Sequence, residues 1–379
     1  MTAEFEQARF DTEQKLAGKL DELADGSDIK SLESFAKAYL GMYLDIDKHL
    51  PPDERVALLA KEHILGSIWS GFAAVLHNHE LLTPEEIGCQ YAKDERMAQG
   101  YIALAAIDRE IRQHDGDLGD LLTDDDKLES LICFHYVDRN ELKDQWMDYL
   151  ASQRPQLFST ALLRLWQAIQ DCGVERYPGF REILQKKEFS AVLENLALPV
   201  LKTVKHINKK LLPLLLMSAF ENVSHEELLK TCQARLNNAE FMTIVHHVYW
   251  LGSAYLLSPK QYEAEITAYI GRTREKALPL LNFLESVIKN KAVTKVNIDS
   301  GMLASLLAMI APRFRPGRDQ FGRLDDNVQK IVWLFDLLGQ DGSEEGRQAI
   351  KKLKGIRVMR LYSDFLEKAE KDQQRQRNG

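Results

Sequence analysis

The residues of this sequence best suited to binding chemistry are arginines. "PRFRPGRDQFGRLD" (312–325) holds Arg313, Arg315, Arg318 and Arg323 within eleven residues. A guanidinium presents a planar fork of donors that matches phosphate or carboxylate in bidentate fashion. Pro312 and Pro316 stop the preceding helix, and Gly317 and Gly322 permit a tight path. Asp319, Asp325 and Asp326 stand close enough to pair with some of these arginines. The stretch therefore reads first as an ordered loop between helices with internal salt bridges. Its further uses are docking of a protein and contact with nucleic-acid phosphate. A second basic run, "LKTVKHINKK" (201–210), places Lys202, Lys205, Lys209 and Lys210, with His206, around a helix-to-helix turn. Lysine there also offsets the dipole of a helix C-terminus.

Other chemistry-bearing letters fail on spacing or context. "HNHE" (His77, Asn78, His79, Glu80) sits at a helix end just before the Thr83 cap, whereas metal-dependent nuclease chemistry with those letters needs a ββα hairpin. Glu62–His63 has no second histidine four residues on. His246 and His247 are adjacent and project about 100° apart on a helix, so they do not aim at one ligand. "AGKL" (17–20) lacks the upstream glycine and the Ser/Thr of a phosphate loop. "LEKAEK" (366–371) reads as a solvated helix face. Cys89, Cys133, Cys172 and Cys232 lie far apart with no CxxC pair, and each falls in a helix-like segment, which suggests buried free thiols in a reducing cytosol. No catalytic residue, metal ligand or cofactor site is expected.

The elements that must carry these residues are helices almost throughout. In "NAEFMTIVHHVYWLGSAYLL", Phe241, Ile244, Val245, Val248 and Tyr255 share one helical face. Starts are marked by "TPEE" (Thr83, Pro84, Glu86), "SHEE" (Ser224, Glu227) and "SPKQ" (Ser258, Pro259, Gln261), because a hydroxyl satisfies an amide that the first turn leaves unbonded. The pattern predicts helices near 2–24, 29–46, 53–77, 84–112, 124–136, 139–152, 156–172, 188–204, 208–221, 225–236, 239–257, 260–270, 273–290, 299–311, 324–339, 344–353 and 356–376. The expected class is all-α: irregular stacked antiparallel helix pairs, a HEAT-like α-solenoid. Two segments are expected, 1–115 and 124–379, with a soft hinge at 114–127, a second hinge candidate at 171–180 and a linker at 291–298. The tail after 366 loses its apolar stripe and is expected to fray or to lead elsewhere.

Composition bounds the partners. Hydrophobic residues make up 45% of the 379, enough for a real core, and the net charge of −8 disfavours general affinity for nucleic acid or membrane, so any basic site is local. The N-terminus is charged throughout, which argues against a signal peptide, and the longest apolar runs fall short of a membrane span. A cytoplasmic location is expected.

Several blocks in order resemble a known family. They are "WMDYLASQRPQLFSTALLRLWQA" (146–168), "HHVYWLGSAYLLSPKQYEAEITAYIG" (246–271), "LLAMIAPRFRPG" (306–317) and "DDNVQKIVWLFDLLGQDGSEEGRQAIKKL" (325–353). Their order is similar to the helical region of large bacterial NACHT-like (STAND-type) defence NTPases over roughly residues 60 to 376. This chain contains neither the NTPase nor the nuclease module of such proteins. The resemblance implies a non-catalytic scaffold or recognition subunit of a bacterial antiphage system, binding an NTPase or nuclease component or a phage-derived trigger. The alternative is a helical nucleic-acid-binding protein that uses the basic loop 313–323.

Overall fold

The computed structural model describes residues 3–114, 123–138, 145–204, 207–238, 243–289, 298–317 and 323–378. Among them the chain is all-α, as expected, with no β-strand. Contacts divide it into two compact units, Met1–His206 and Ile207–Gly379.

Unit 1 contains α1 (Ala3–Leu16), α2 (Leu20–Ala24), α3 (Ile29–Tyr39), α4 (Pro52–Ala57), α5 (Glu62–Asn78), α6 (Pro84–Ala92), α7 (Ala98–Gln113), α8 (Asp125–Val137), α9 (Gln145–Gln153), α10 (Pro155–Asp171), α11 (Phe180–Gln185) and α12 (Ser190–Thr203). Its centre is α10. Pro155 starts that helix, where its missing N–H costs nothing. Phe158, Leu162, Leu165, Trp166 and Ile169 recur at helical spacing and are fully buried. Each such side chain contributes roughly 1.5–3 kcal/mol of transfer free energy. The helix packs on α6, α8, α9 and α12. The approach to α6 is close: a Cβ on Gly88 meets the Leu165 carbonyl oxygen and the Ala168 Cβ at 2.8 Å. Elsewhere α3 packs on α7 and α2 on α5, so neighbours in space are not always neighbours in sequence.

Unit 2 contains α13 (Leu212–Asn222), α14 (His225–Leu236), α15 (Ile244–Leu257), α16 (Pro259–Ile270), α17 (Arg274–Lys289), α18 (Ser300–Ile310), α19 (Asp326–Gly339), α20 (Glu344–Lys354) and α21 (Ser363–Asn378), with 3₁₀ turns at Ala311–Arg313 and Arg357–Tyr362. Here α15 packs on α14, α16 and α17, α18 on α20 and α19, and α19 on α21.

Several expectations need correcting. The rods expected at 2–24, 53–77 and 84–112 each break in two. The last of these breaks at Asp94, whose φ of 54° is left-handed, a conformation that a short polar side chain tolerates. Apolar spacing that continues across a break hides it. The hinge expected at 114–127 lies within unit 1, where the flanking α7 and α8 pack on each other; residues 115–122 lie outside the described residues, as do 291–297 of the expected linker. Segment 171–180 is tied down rather than loose. The Trp166 Nε1–H donates to the Pro178 carbonyl at 3.0 Å, and the Tyr177 and Phe180 rings pack edge-on to Trp166. The tail does not fray early: α21 runs to Asn378, Ala369 seats against Gly339, and the Gln373 amide donates to the Leu338 carbonyl at 2.9 Å. A small residue and one well-aimed amide replace the apolar stripe that the sequence lacks.

Candidate functional site

The arginine stretch is built on the end of α18. The helix passes into the Ala311–Arg313 turn and then into extended backbone at Phe314, whose ring is buried. Tyr362 fixes this path: its buried hydroxyl donates to the Phe314 carbonyl at 2.7 Å and lies 3.3 Å from that of Ala311. Arg313 donates to the carbonyl of Gly271 at the end of α16. Gly271 has φ 51° and ψ −128°, a backbone state that an L side chain resists, so a glycine is needed to turn that carbonyl toward Arg313.

The turn between α16 and α17 brings two further arginines. Arg274 lies over the Phe314 ring, 5.1 Å from its centroid, and 3.9 Å from the Asp325 carboxylate. The charge of Arg272 acts on Arg313. Burial, and after it the charge of Arg272, holds the Arg313 guanidinium below its ordinary pKa. Its Nε is buried and has no hydrogen-bond acceptor among the described residues. Among the described residues, Arg274, Arg313, Phe314, Arg315 and Arg323 line a cleft of about 710 Å³ together with Asp325 and Asp326. Asp325 is also engaged as the N-cap of α19, accepting from the Asn327 amide at 2.9 Å.

Sequence reading thus located three of the four cleft arginines. It did not find Arg274, which lies some forty residues upstream; its only local signal is the basic pair in "GRTRE" after a helix end. Asp325 also lies 3.9 Å from Arg274, outside the stretch. Arg318 and Asp319 lie outside the described residues.

Within unit 2, Lys209 and Lys210 are not among the residues that line this cleft. Lys202 is exposed in the last turn of α12, in unit 1. Lys209 and Lys210 are exposed before α13, in unit 2, where the Lys210 amide is held by Asn208 Oδ1 at 2.9 Å. Lys205 and His206 lie outside the described residues.

Unit 1 has a polar cleft of about 500 Å³ at the "HNHE" letters. His77 Nε2 lies 2.8 and 3.0 Å from the Glu110 carboxylate oxygens, and His79 Nε2 lies 3.1 Å from the Asp25 carbonyl. Both imidazoles are thus engaged with the protein. Nearby, Arg164 forks onto Glu85 at 2.6 and 2.7 Å and also reaches Glu129. Its hydrogen bonds lower the Glu85 pKa, while burial raises that of Glu129. Arg164 is therefore a brace among α6, α8 and α10. No cluster of three potential metal ligands occurs among the described residues.

Two other details refine the sequence reading. His246 lies between the Thr243 hydroxyl and the Ile207 carbonyl, whereas His247 stacks on Tyr269 at 4.0 Å, so the two diverge as expected. Thr83 and Glu86 form the full capping box, and Ser224 accepts from the Glu227 amide at 3.3 Å. Ser258 caps no amide; its hydroxyl turns to Gln261 Oε1 at 3.3 Å. No described helix is long and apolar enough to cross a membrane. Comparison of the chain with protein-family models, with curated proteins and with solved structures gives no match.

Proposed function

We propose that this chain is a non-catalytic helical scaffold or recognition subunit, of the kind that serves bacterial antiphage assemblies, and that the arginine cleft of unit 2 takes the acidic surface of a protein partner. The single observation that carries this reading is the setting of Arg313 in this cleft: it stands half-buried beside Arg272, whose like charge acts on it. An incoming anion at the accessible edge of the guanidinium relieves that repulsion. The apolar surroundings favour a protein over a bare polyanion. The 3₁₀ turn Arg357–Tyr362 packs on Ala311–Arg313. Three residues per turn divide it into edges: Met359 and Tyr362 face the core, Val358 and Leu361 are 45% and 54% exposed, and Arg357 and Arg360 form the third edge. Apolar and cationic edges beside an arginine cleft suit an acidic, partly apolar protein surface. In this reading the helices stack in irregular HEAT-like pairs, and an NTPase or nuclease component is the partner.

Guanidinium chemistry equally accommodates phosphate, so nucleic acid is the second reading. A direct comparison tests both. The full chain is titrated at low salt with a glutamate-rich peptide bearing leucines and, separately, with a short DNA duplex; binding is followed by fluorescence anisotropy. The proposal expects the peptide to bind and Arg313→Ala with Arg315→Ala to weaken it at least tenfold. Duplex binding alone, with a log–log salt slope that drops by about two in the double variant, shifts the assignment to nucleic acid. If neither probe binds, the cleft is only a structural junction.

A further inference from the structure

Cys89 and Cys172 are 83 positions apart, yet the Cys172 thiol donates to Cys89 Sγ across 3.2 Å. The fold creates this pair. Cys89 follows Gly88, which lies in tight contact with α10, and Cys172 is the C-cap of α10. The pair is accessible: Cys172 is exposed and Cys89 half-buried. The remaining cysteines contrast with it. Cys133 and Cys232 are fully buried, and burial pushes both thiols up, Cys232 to about 12. They are therefore inert, whereas the exposed member of a contacting pair has both an entry route and a partner.

We infer that Cys89 and Cys172 form a reversible dithiol–disulfide site, oxidised by small-molecule disulfides of the glutathione type, that cross-links α6 to α10. The exposed Cys172 thiolate attacks one sulfur of the oxidant, forming a mixed disulfide and expelling one thiol. Cys89 then loses its proton and attacks Sγ of Cys172, forming the intramolecular S–S bond and releasing the second thiol. The protein dithiol loses two electrons and two protons, and the oxidant is reduced to two thiols. The hydrogen bond shared with Cys172, and after it burial, holds the Cys89 thiol above its ordinary pKa, which disfavours Cys89 as the first attacker. The closed loop restrains much of unit 1, because a cross-link across 83 residues removes many conformations from the unfolded chain.

The full reduced chain is incubated with oxidised glutathione, quenched by alkylation and digested. The expected product is a peptide pair joined through Cys89 and Cys172, with Cys133 and Cys232 still reduced. Its melting temperature without reductant rises by about 5–10 °C and returns to the starting value with dithiothreitol. In Cys89→Ser the reaction stops at glutathione on Cys172 and the rise is lost; Cys89→Ala, checked for helicity, serves if the serine variant misfolds. A wild-type chain that stops at the mixed disulfide, or that stays fully reduced while an unstructured cysteine peptide is oxidised, overturns the inference.

Discussion

Asp138 shows how much one buried group controls. It follows α8, is 8% exposed, and has one carboxylate oxygen with no hydrogen-bond partner among the described residues. Burial pushes its pKa up to about 7, opposed by a hydrogen bond from Tyr101 and by the charge of Lys37, with Glu33 adding to the rise. Glu33 is itself buried, but hydrogen bonds from Arg96 and Lys37 outweigh that burial and keep it ionised. The sign of the linkage follows. The folded Asp138 holds a proton that the unfolded chain releases near its ordinary pKa of about 4, so its contribution to stability is present in acid and is lost as the pH rises through about 7. Asp138→Asn imitates the protonated form. Its stability relative to wild type should therefore increase by about 2–3 kcal/mol between about pH 5 and about pH 8. Urea unfolding of both proteins at the two pH values measures this; an unchanged difference means that Asp138 does not ionise over that range. Sequence alone showed nothing here, because "YVD" at a helix end carries no mark of burial.

At the scale of elements, the contact between α6 and α10 is the most demanding. The predicted helices at 84–112 and 156–172 included both, and the Thr83 capping box placed the start of α6 correctly. Their partnership was not legible. Hydrophobic spacing says that a helix has a buried face, but not which distant helix covers it. Gly88 permits the approach, since a side chain there meets backbone as well as Ala168. Gly88→Val should cost unit 1 about 2–3 kcal/mol, read as a lower midpoint in urea with an unchanged slope. A neutral outcome means that the two helices separate at little cost. The arginine cleft follows the same logic. Three of its arginines were visible as a run, but Arg274 and the Tyr362 anchor come from other helices and enter only through packing.

For the whole molecule, the division at His206 and Ile207 matters most. Unit 1 buries Phe134, Phe158, Trp166 and Phe189, and unit 2 buries Phe220, Tyr255, Phe283 and Phe335. Each has the internal core that independent folding requires. Fragments 1–206 and 207–379, made separately, should each melt cooperatively, and their helical ellipticities should sum to that of the full chain. Circular dichroism tests this; an unfolded fragment means that one unit depends on the other. By itself the sequence determined the all-α class, most helix starts and the charge run of the cleft, because periodicity, capping and charge act over a few residues. Only the tertiary structure decided where the units divide, how Cys89 meets Cys172 and which groups surround Arg313. Those depend on contacts between residues far apart in the chain, and no local pattern encodes which distant faces come together.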